Sequence, residues 1–151
     1  MQSVKSGVSP ARLFGQFLII LGTAVCLVVS IYLWQVVSVS QAILPVPGLY
    51  LVEIIVLSVA AMLGVIYSPQ WGVTLVWAVT GVLMAFVVMG AWSIGLSYLP
   101  VAALFALAAL LFDRRTAQSL AVHLTVCLLS ALAQVALMFA AIRLLHPDAM
   151  F

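Results

Sequence analysis

The sequence predicts an all-α, polytopic integral membrane protein: one transmembrane domain over residues 1–151, built as a bundle of about five helices. Of the 151 residues, 68% are hydrophobic and 5% are charged, whereas a soluble domain carries about 25% charged residues. The five basic and three acidic side chains are also separated by long apolar runs. A soluble fold of this size could not cover so much apolar surface with polar groups.

Prolines and short polar clusters divide the chain into helices. Proline removes a backbone donor and clashes with the preceding turn, so we place loops at Pro45–Pro47 and at Ser68–Pro69. The first apolar run has about 25 residues, against 7 to 15 for the core of a signal peptide, and is predicted to span the bilayer. The predicted helices cover residues 12–37, 49–67, 71–93, 97–112 and 116–145.

The division between the third and fourth helices rests on length. The stretch from Trp71 to Phe112 carries no charge, and as one helix it would be about 63 Å long, twice the thickness of the hydrocarbon layer. It must therefore turn back, and the Gly-, Ser- and Pro-rich segment 93–100 is the expected turn. The fourth helix is then short, so both a full span and a re-entrant segment remain open.

The basic residues predict the orientation, because cytoplasmic loops are enriched in Lys and Arg. With a cytoplasmic N-terminus, five crossings place Lys5, Arg12, Arg114 and Arg115 in the cytoplasm and leave only Arg143 outside. The C-terminus is then outside. A four-helix alternative would put the arginine pair outside and is disfavoured. This pattern and the short loops predict a multi-pass protein of a bacterial cytoplasmic membrane.

Several functional classes find no support in the sequence. The chain has no extended basic face for nucleic acid, and no catalytic triad, phosphate-binding loop or zinc-binding motif. We therefore predict no catalytic residue, no metal site and no enzymatic activity, and no cofactor beyond contact with lipid or quinone. Cys26 and Cys127 lie within apolar runs and lack the spacing of a redox pair or metal site.

Glu53 is the most informative polar residue, because an ionisable group inside a spanning helix is costly and often functional. It lies near the outer end of the second helix, and Arg143 lies near the outer end of the fifth. We predict that these two side chains form an ion pair joining the two helices. Proton handling by Glu53, snorkelling to the interface and contact with a partner subunit are the alternatives.

The fifth helix is the most polar. His123 is a candidate haem or chlorin ligand, although the only other histidine, His146, lies at the opposite end of the same helix. We therefore favour buried hydrogen bonds for both His123 and Gln134, and expect the face that carries them, with Ser130 and Cys127, to pack against protein.

Small residues and hydroxyl groups can be explained by helix packing. Small residues spaced four apart let helices approach closely, and hydroxyl groups within helices are expected to bond their own backbone. The small pairs are Ala60 with Gly64, Gly81 with Ala85, Ala102 with Ala106, and Ala136 with Ala140. The hydroxyl residues include Thr23, Ser30, Ser58, Thr80, Thr125 and Ser130.

Two functions from different classes follow. The first is a non-catalytic accessory or scaffolding subunit that packs against other transmembrane subunits of a larger assembly, such as a respiratory or photosynthetic electron-transfer complex. The second is a small homo-oligomeric transporter or channel in which Glu53, His123 and Gln134 line a path. Absent chemistry, minimal loops and Ala-rich helices favour the first.

Overall fold

The chain forms a bundle of α-helices. In a computed structural model, residues 10–40, 46–91, 94–113 and 120–145 are described. Five helices in these ranges are long and apolar enough to cross a membrane, which confirms the predicted fold class. The helices are Pro10–Ser40 (α1), Val46–Tyr67 (α2), Pro69–Met89 (α3), Leu99–Asp113 (α4) and Leu120–Leu145 (α5), and a 3-10 helix, Gly95–Tyr98, leads directly into α4.

The boundaries differ from the predicted ones at two loops. α2 begins at Val46, within the loop predicted at Pro45–Pro47, because proline is tolerated in the first turn of a helix. The second difference is at the third loop. α3 ends at Met89, four residues before the predicted end, and the Gly90 carbonyl accepts a 2.8 Å hydrogen bond from the amide of Gly95. Trp92 and Ser93, at the predicted break, lie outside the described residues. The 3-10 helix and α4 together cover 19 residues, or about 30 Å at their respective rises per residue, which is enough for a full span.

The turn between α2 and α3 forms as the sequence predicts. Ser68 has an extended backbone and Pro69 follows at the first helical position, where its missing N–H costs nothing. The Ser68 amide donates to the Gly64 carbonyl at 2.9 Å, and the Gly72 amide donates to the Ser68 carbonyl at 2.7 Å. The two helices therefore leave the turn closely packed and antiparallel.

α1 to α4 form a ring in which each helix packs on its two neighbours, α1 closing against α4. Two glycines seven residues apart on α1 receive two aromatic rings seven apart on α4. A Cβ at Gly15 would lie 2.9 Å from Cζ of Phe112, and a Cβ at Gly22 would lie 2.9 Å from Cε2 of Phe105. The reversed order of the partners makes the pair antiparallel, and the glycines leave space that the rings fill.

α5 lies outside this ring and packs mainly on α3, with a small contact to α2. Its contacts with α3 advance in the same direction along both helices: Trp77 lies against His123, and Gly81 lies against the backbone of Cys127. α3 and α5 are therefore parallel. A Cβ at position 81 would overlap the Cys127 carbonyl oxygen, so only glycine permits this approach.

The predicted small pairs have different roles. Gly81 is the contact point with α5, and Gly64 packs against Leu75 at the α2–α3 turn. Ala102 is fully enclosed between α4 and its neighbours. Ala136 and Ala140, by contrast, are exposed on α5, so this chain alone does not bury that pair.

Candidate functional site

Two polar contacts attach α5 to the rest of the molecule, and they define the candidate site. His123 and Gln134 are the enclosed side chains of α5 among those the structure describes, with 0% and 3% of their surfaces exposed. At 3.6 residues per turn, residues eleven apart lie about 20° apart around a helix. The two side chains therefore project from one face, the face predicted to pack against protein.

The first contact joins α5 to α2. Nε2 of Gln134 donates a 3.1 Å hydrogen bond to Oε2 of Glu53, and the Glu53 side chain is half-buried. Near it lies Tyr50, whose hydroxyl is buried and has no hydrogen-bond partner among the described residues. The Tyr50 ring packs on Phe86 of α3, with 6.1 Å between ring centroids.

The predicted ion pair between Glu53 and Arg143 is not formed. Among the described residues, Glu53 has Gln134 as its hydrogen-bond donor and no salt bridge reaches Arg143, which is exposed. Arg143 lies nine residues beyond Gln134, or about 13 Å further along α5. The prediction misjudged the vertical register of α2 against α5, because it assumed that both side chains lie equally far from their helix ends.

The second contact joins α5 to α4 and α3. Nδ1 of His123 donates to Oδ1 of Asp113, the last residue of α4, and 9% of the Asp113 side-chain surface is exposed. The imidazole also stacks on the Trp77 indole, with centroids 6.2 Å apart and planes 7° from parallel. One side chain thus holds the beginning of α5 against two other helices.

These contacts bear on the cofactor alternatives for His123. Its ring is fully enclosed, stacked on Trp77 and bonded to Asp113, which supports the interpretation as a packing and hydrogen-bonding residue. His146 lies outside the described residues, as do Lys5, Arg114 and Arg115. Within the described ranges, no group of three or more His, Cys, Asp or Glu side chains is placed to hold a metal ion.

A tightly packed layer separates the two polar contacts. Between His123 and Gln134, the Cys127 carbonyl and the Ser130 hydroxyl lie directly on Gly81 of α3. The Ser130 hydroxyl donates to that same Cys127 carbonyl at 2.8 Å. The backbones of α3 and α5 therefore meet at this point, between the two polar contacts.

A third polar cluster lies inside the four-helix ring. The Ser58 hydroxyl donates to Sγ of Cys26 at 3.4 Å, the Thr23 hydroxyl donates to the Ser58 carbonyl at 3.3 Å, and the hydroxyls of Ser30 and Tyr98 share a 2.7 Å hydrogen bond. Thr23, Ser30 and Ser58 were predicted to bond their own helices, but they join α1 to α2 and to the 3-10 helix instead.

Other hydroxyls do satisfy themselves locally. Thr80 donates to the Val76 carbonyl, and Thr125 donates to the Ala121 carbonyl, each four residues earlier on the same helix. Such back-bonding removes the cost of an unpaired hydroxyl in hydrocarbon. These residues need no functional explanation.

Sequence reasoning missed Asp113 and Trp77 as members of the site. Asp113 lies one residue beyond the predicted fourth helix, 97–112, and Trp77 lies inside the predicted third helix, 71–93, where neither was singled out. A signal was available: Asp113 and His123 are ten residues apart on either side of a short connection. Helices joined so closely must bring their adjoining ends together.

Comparison with known proteins adds no assignment. No protein-family model matches the chain, and no curated protein or solved structure is detectably similar to it.

Proposed function

We propose that this protein is a non-catalytic helical subunit that assembles with other transmembrane subunits in a larger membrane complex. The observation that carries the proposal is the position of α5, which is attached to the ring by one polar face. Most of its other described residues are exposed, including Ala136 and Ala140. A small pair on an exposed face of a spanning helix is suited to close packing by a further helix.

The polar side chains support the same proposal. Glu53 with Gln134, and Asp113 with His123, join helices within the chain. In hydrocarbon such contacts align helices, because an unpaired polar group has no water to bond. Such alignment lets a subunit present a fixed surface to its partners and requires no reactive site.

The transporter alternative receives less support. It would need Glu53, His123 and Gln134 along one path, yet the close contact of Gly81 with Cys127 separates His123 from the other two. Transport along this interface would require α3 and α5 to move apart. Solute or proton flux into proteoliposomes containing the purified chain, compared with a Glu53→Gln variant, tests this alternative directly.

The proposal includes an orientation and a location. We propose a cytoplasmic N-terminus and a C-terminus on the opposite side of a bacterial cytoplasmic membrane, because that orientation places Lys5, Arg12, Arg114 and Arg115 in the cytoplasm. A fluorescent protein active only in the cytoplasm and a phosphatase active only outside, fused in turn to each end, measure this. Fluorescence from the C-terminal fusion would overturn it.

Purification from the native membrane tests the function. The tagged chain is extracted in mild detergent, and co-purifying proteins are quantified by mass spectrometry and by an absorption spectrum of the complex. We expect partner subunits in fixed stoichiometry, and haem or pigment bands if the assembly transfers electrons. A colourless homo-oligomer would contradict the proposal.

Matched variants make this experiment specific to α5. Replacing Ala136 and Ala140 together by leucine enlarges its exposed small surface and is expected to remove the partners. Replacing Ala24 and Ala103, exposed on α1 and α4, by leucine adds the same volume elsewhere and should leave them bound.

A further inference from the structure

We infer that the surface between α2 and α5 is the docking site for one spanning helix of a partner subunit, and that this helix carries a basic side chain that pairs with Glu53. This inference rests on the proposed function and names the chemistry of the partner.

α2 and α5 both pack on α3 but have little contact with each other, and the Glu53–Gln134 hydrogen bond joins them where they meet. We call the surface between them the α2–α5 seam. We assign to it half-buried positions of the three helices. On α2 and α5 they are Glu53, Leu57, Ala60 and Ala131, and on α3 they are Ala78 and Val82.

Helical spacing places these residues on one side of the molecule. Leu57 and Gly64 follow Glu53 at four and eleven residues, so all three share a face of α2. Gly64 packs against Leu75 of α3, and Ala78 and Val82 follow Leu75 at three and seven residues on the same face. The seam therefore continues along α2 and α3 from Glu53 towards the α2–α3 turn.

Glu53 cannot leave the seam for the membrane surface while it holds Gln134. Gln134 is 3% exposed and lies eleven residues, or about 16 Å, before the end of α5. Glu53 itself lies seven residues, or about 10 Å, from the start of α2. The hydrogen bond keeps the carboxyl group at this depth instead of allowing it to reach water.

Charge complementarity selects the occupant of the seam. The one described donor to Glu53 is a neutral amide, and no described cation forms a salt bridge with it. Lipid chains offer no donor at this depth, whereas a carboxylate in hydrocarbon is stabilised by a paired basic group. A helix bearing Lys or Arg supplies that group, and the small side chains of Ala60 and Ala78 let its backbone approach.

Site-specific crosslinking in the native membrane tests the inference. Benzoylphenylalanine replaces Ala60 in the seam or, as a control, Ala24 on the exposed face of α1, and crosslinked peptides are sequenced by mass spectrometry. We expect position 60, but not 24, to capture one spanning segment containing Lys or Arg. Glu53→Gln should lower the yield at least fivefold, and Glu53→Lys combined with a Glu at the partner's basic position should restore it.

The outcomes separate this inference from the proposed function. Partners that co-purify in fixed stoichiometry while position 60 captures only lipid, a second copy of this chain or a segment without a basic residue would overturn the inference alone. An unchanged crosslink yield in Glu53→Gln would do the same. If no partner co-purifies and neither position crosslinks to another protein, both proposals fail.

Discussion

The four-helix ring and the helix α5 are joined by different kinds of contact. Within the ring, Phe105 and Phe112 fill the space above Gly22 and Gly15, and enclosed aliphatic and aromatic side chains from all four helices form a continuous core. α5 adds no enclosed apolar side chain among those described; its enclosed residues are His123 and Gln134. The ring combines this apolar core with a small polar cluster inside it, whereas α5 is held by hydrogen bonds around one close backbone contact.

This difference follows from the solvent. In a bilayer, burying an apolar side chain against protein removes it from lipid, not from water, so helices associate through packing and polar contacts. The ring has neighbours on two sides of each helix, so side chains can interdigitate. α5 packs mainly on α3 and contributes no enclosed apolar side chain among those described, so its position depends on the close contact at Gly81 and on directional bonds. Changes to the ring should therefore alter stability, and changes at α5 should alter its position.

The largest effect is expected from Phe105→Ala. Phe105 is fully enclosed, and truncating it to alanine leaves a cavity between α1 and α4. Because burial in a bilayer involves no transfer from water, we expect only the packing part of the usual cost, about 2–3 kcal/mol. The free energy of unfolding, from a titration with SDS in mild detergent, should fall by about this amount. Phe17→Ala, at a position 57% exposed on α1, is the matched control and should change it by less than about 1 kcal/mol. Equal losses in both variants would contradict the packing described for the ring.

Gly81→Leu should move α5 while the ring stays intact. The new side chain would overlap the Cys127 backbone, and overpacking costs about 1–3 kcal/mol. Spin labels at the exposed positions Val88 and Leu128, with both native cysteines replaced by alanine, measure the α3–α5 distance. We expect it to lengthen in Gly81→Leu and to stay constant in Ala103→Leu, at an exposed site. An unchanged distance in both would show that α5 is not positioned by Gly81.

A double-mutant cycle measures the contact between α2 and α5. Glu53→Leu and Gln134→Leu, singly and together, should give a coupling energy of about 0.6–1.7 kcal/mol, the range for side-chain hydrogen bonds between membrane helices. Glu53→Leu with Arg143→Leu is the control cycle and should give a coupling near zero. A larger coupling for Arg143 than for Gln134 would restore the ion pair expected from the sequence.

The smallest effect is expected from Tyr98→Phe. This change removes one hydroxyl from the bond with Ser30 and keeps the ring packed edge-on against Phe86, so we expect a loss of about 0.6 kcal/mol. Tyr67→Phe, at a position 82% exposed, should have no effect on the free energy of unfolding. A loss for Tyr98→Phe as large as that for Phe105→Ala would mean that the ring depends as much on its polar cluster as on its apolar packing.

The fold was more predictable than the site, for a physical reason. Spanning helices are determined by local composition and length, so the helices and most of their ends followed from prolines and apolar runs. The polar face of α5 followed from spacing along one helix. Contacts between side chains of different helices depend on how far one helix is shifted along the other. On α5, the partner of Glu53 is Gln134, nine residues before the predicted Arg143. Gly15 and Gly22 are seven residues apart, as are Phe105 and Phe112. This shared spacing could have predicted their contact, but only if α1 had been known to adjoin α4.

The hydrogen bond between Glu53 and Gln134 can form only late in the synthesis of the chain. The two residues are 81 positions apart, and at about 5–20 residues per second a ribosome needs on the order of 4–16 s to add the amide after the acid. During that interval the rest of α2, all of α3 and α4 and the first part of α5 are synthesised, while Gln134 is not yet present to bond the acid. Nascent α2 therefore enters the bilayer with an acid that water, the insertion machinery or an already assembled neighbouring helix must accommodate until α5 arrives.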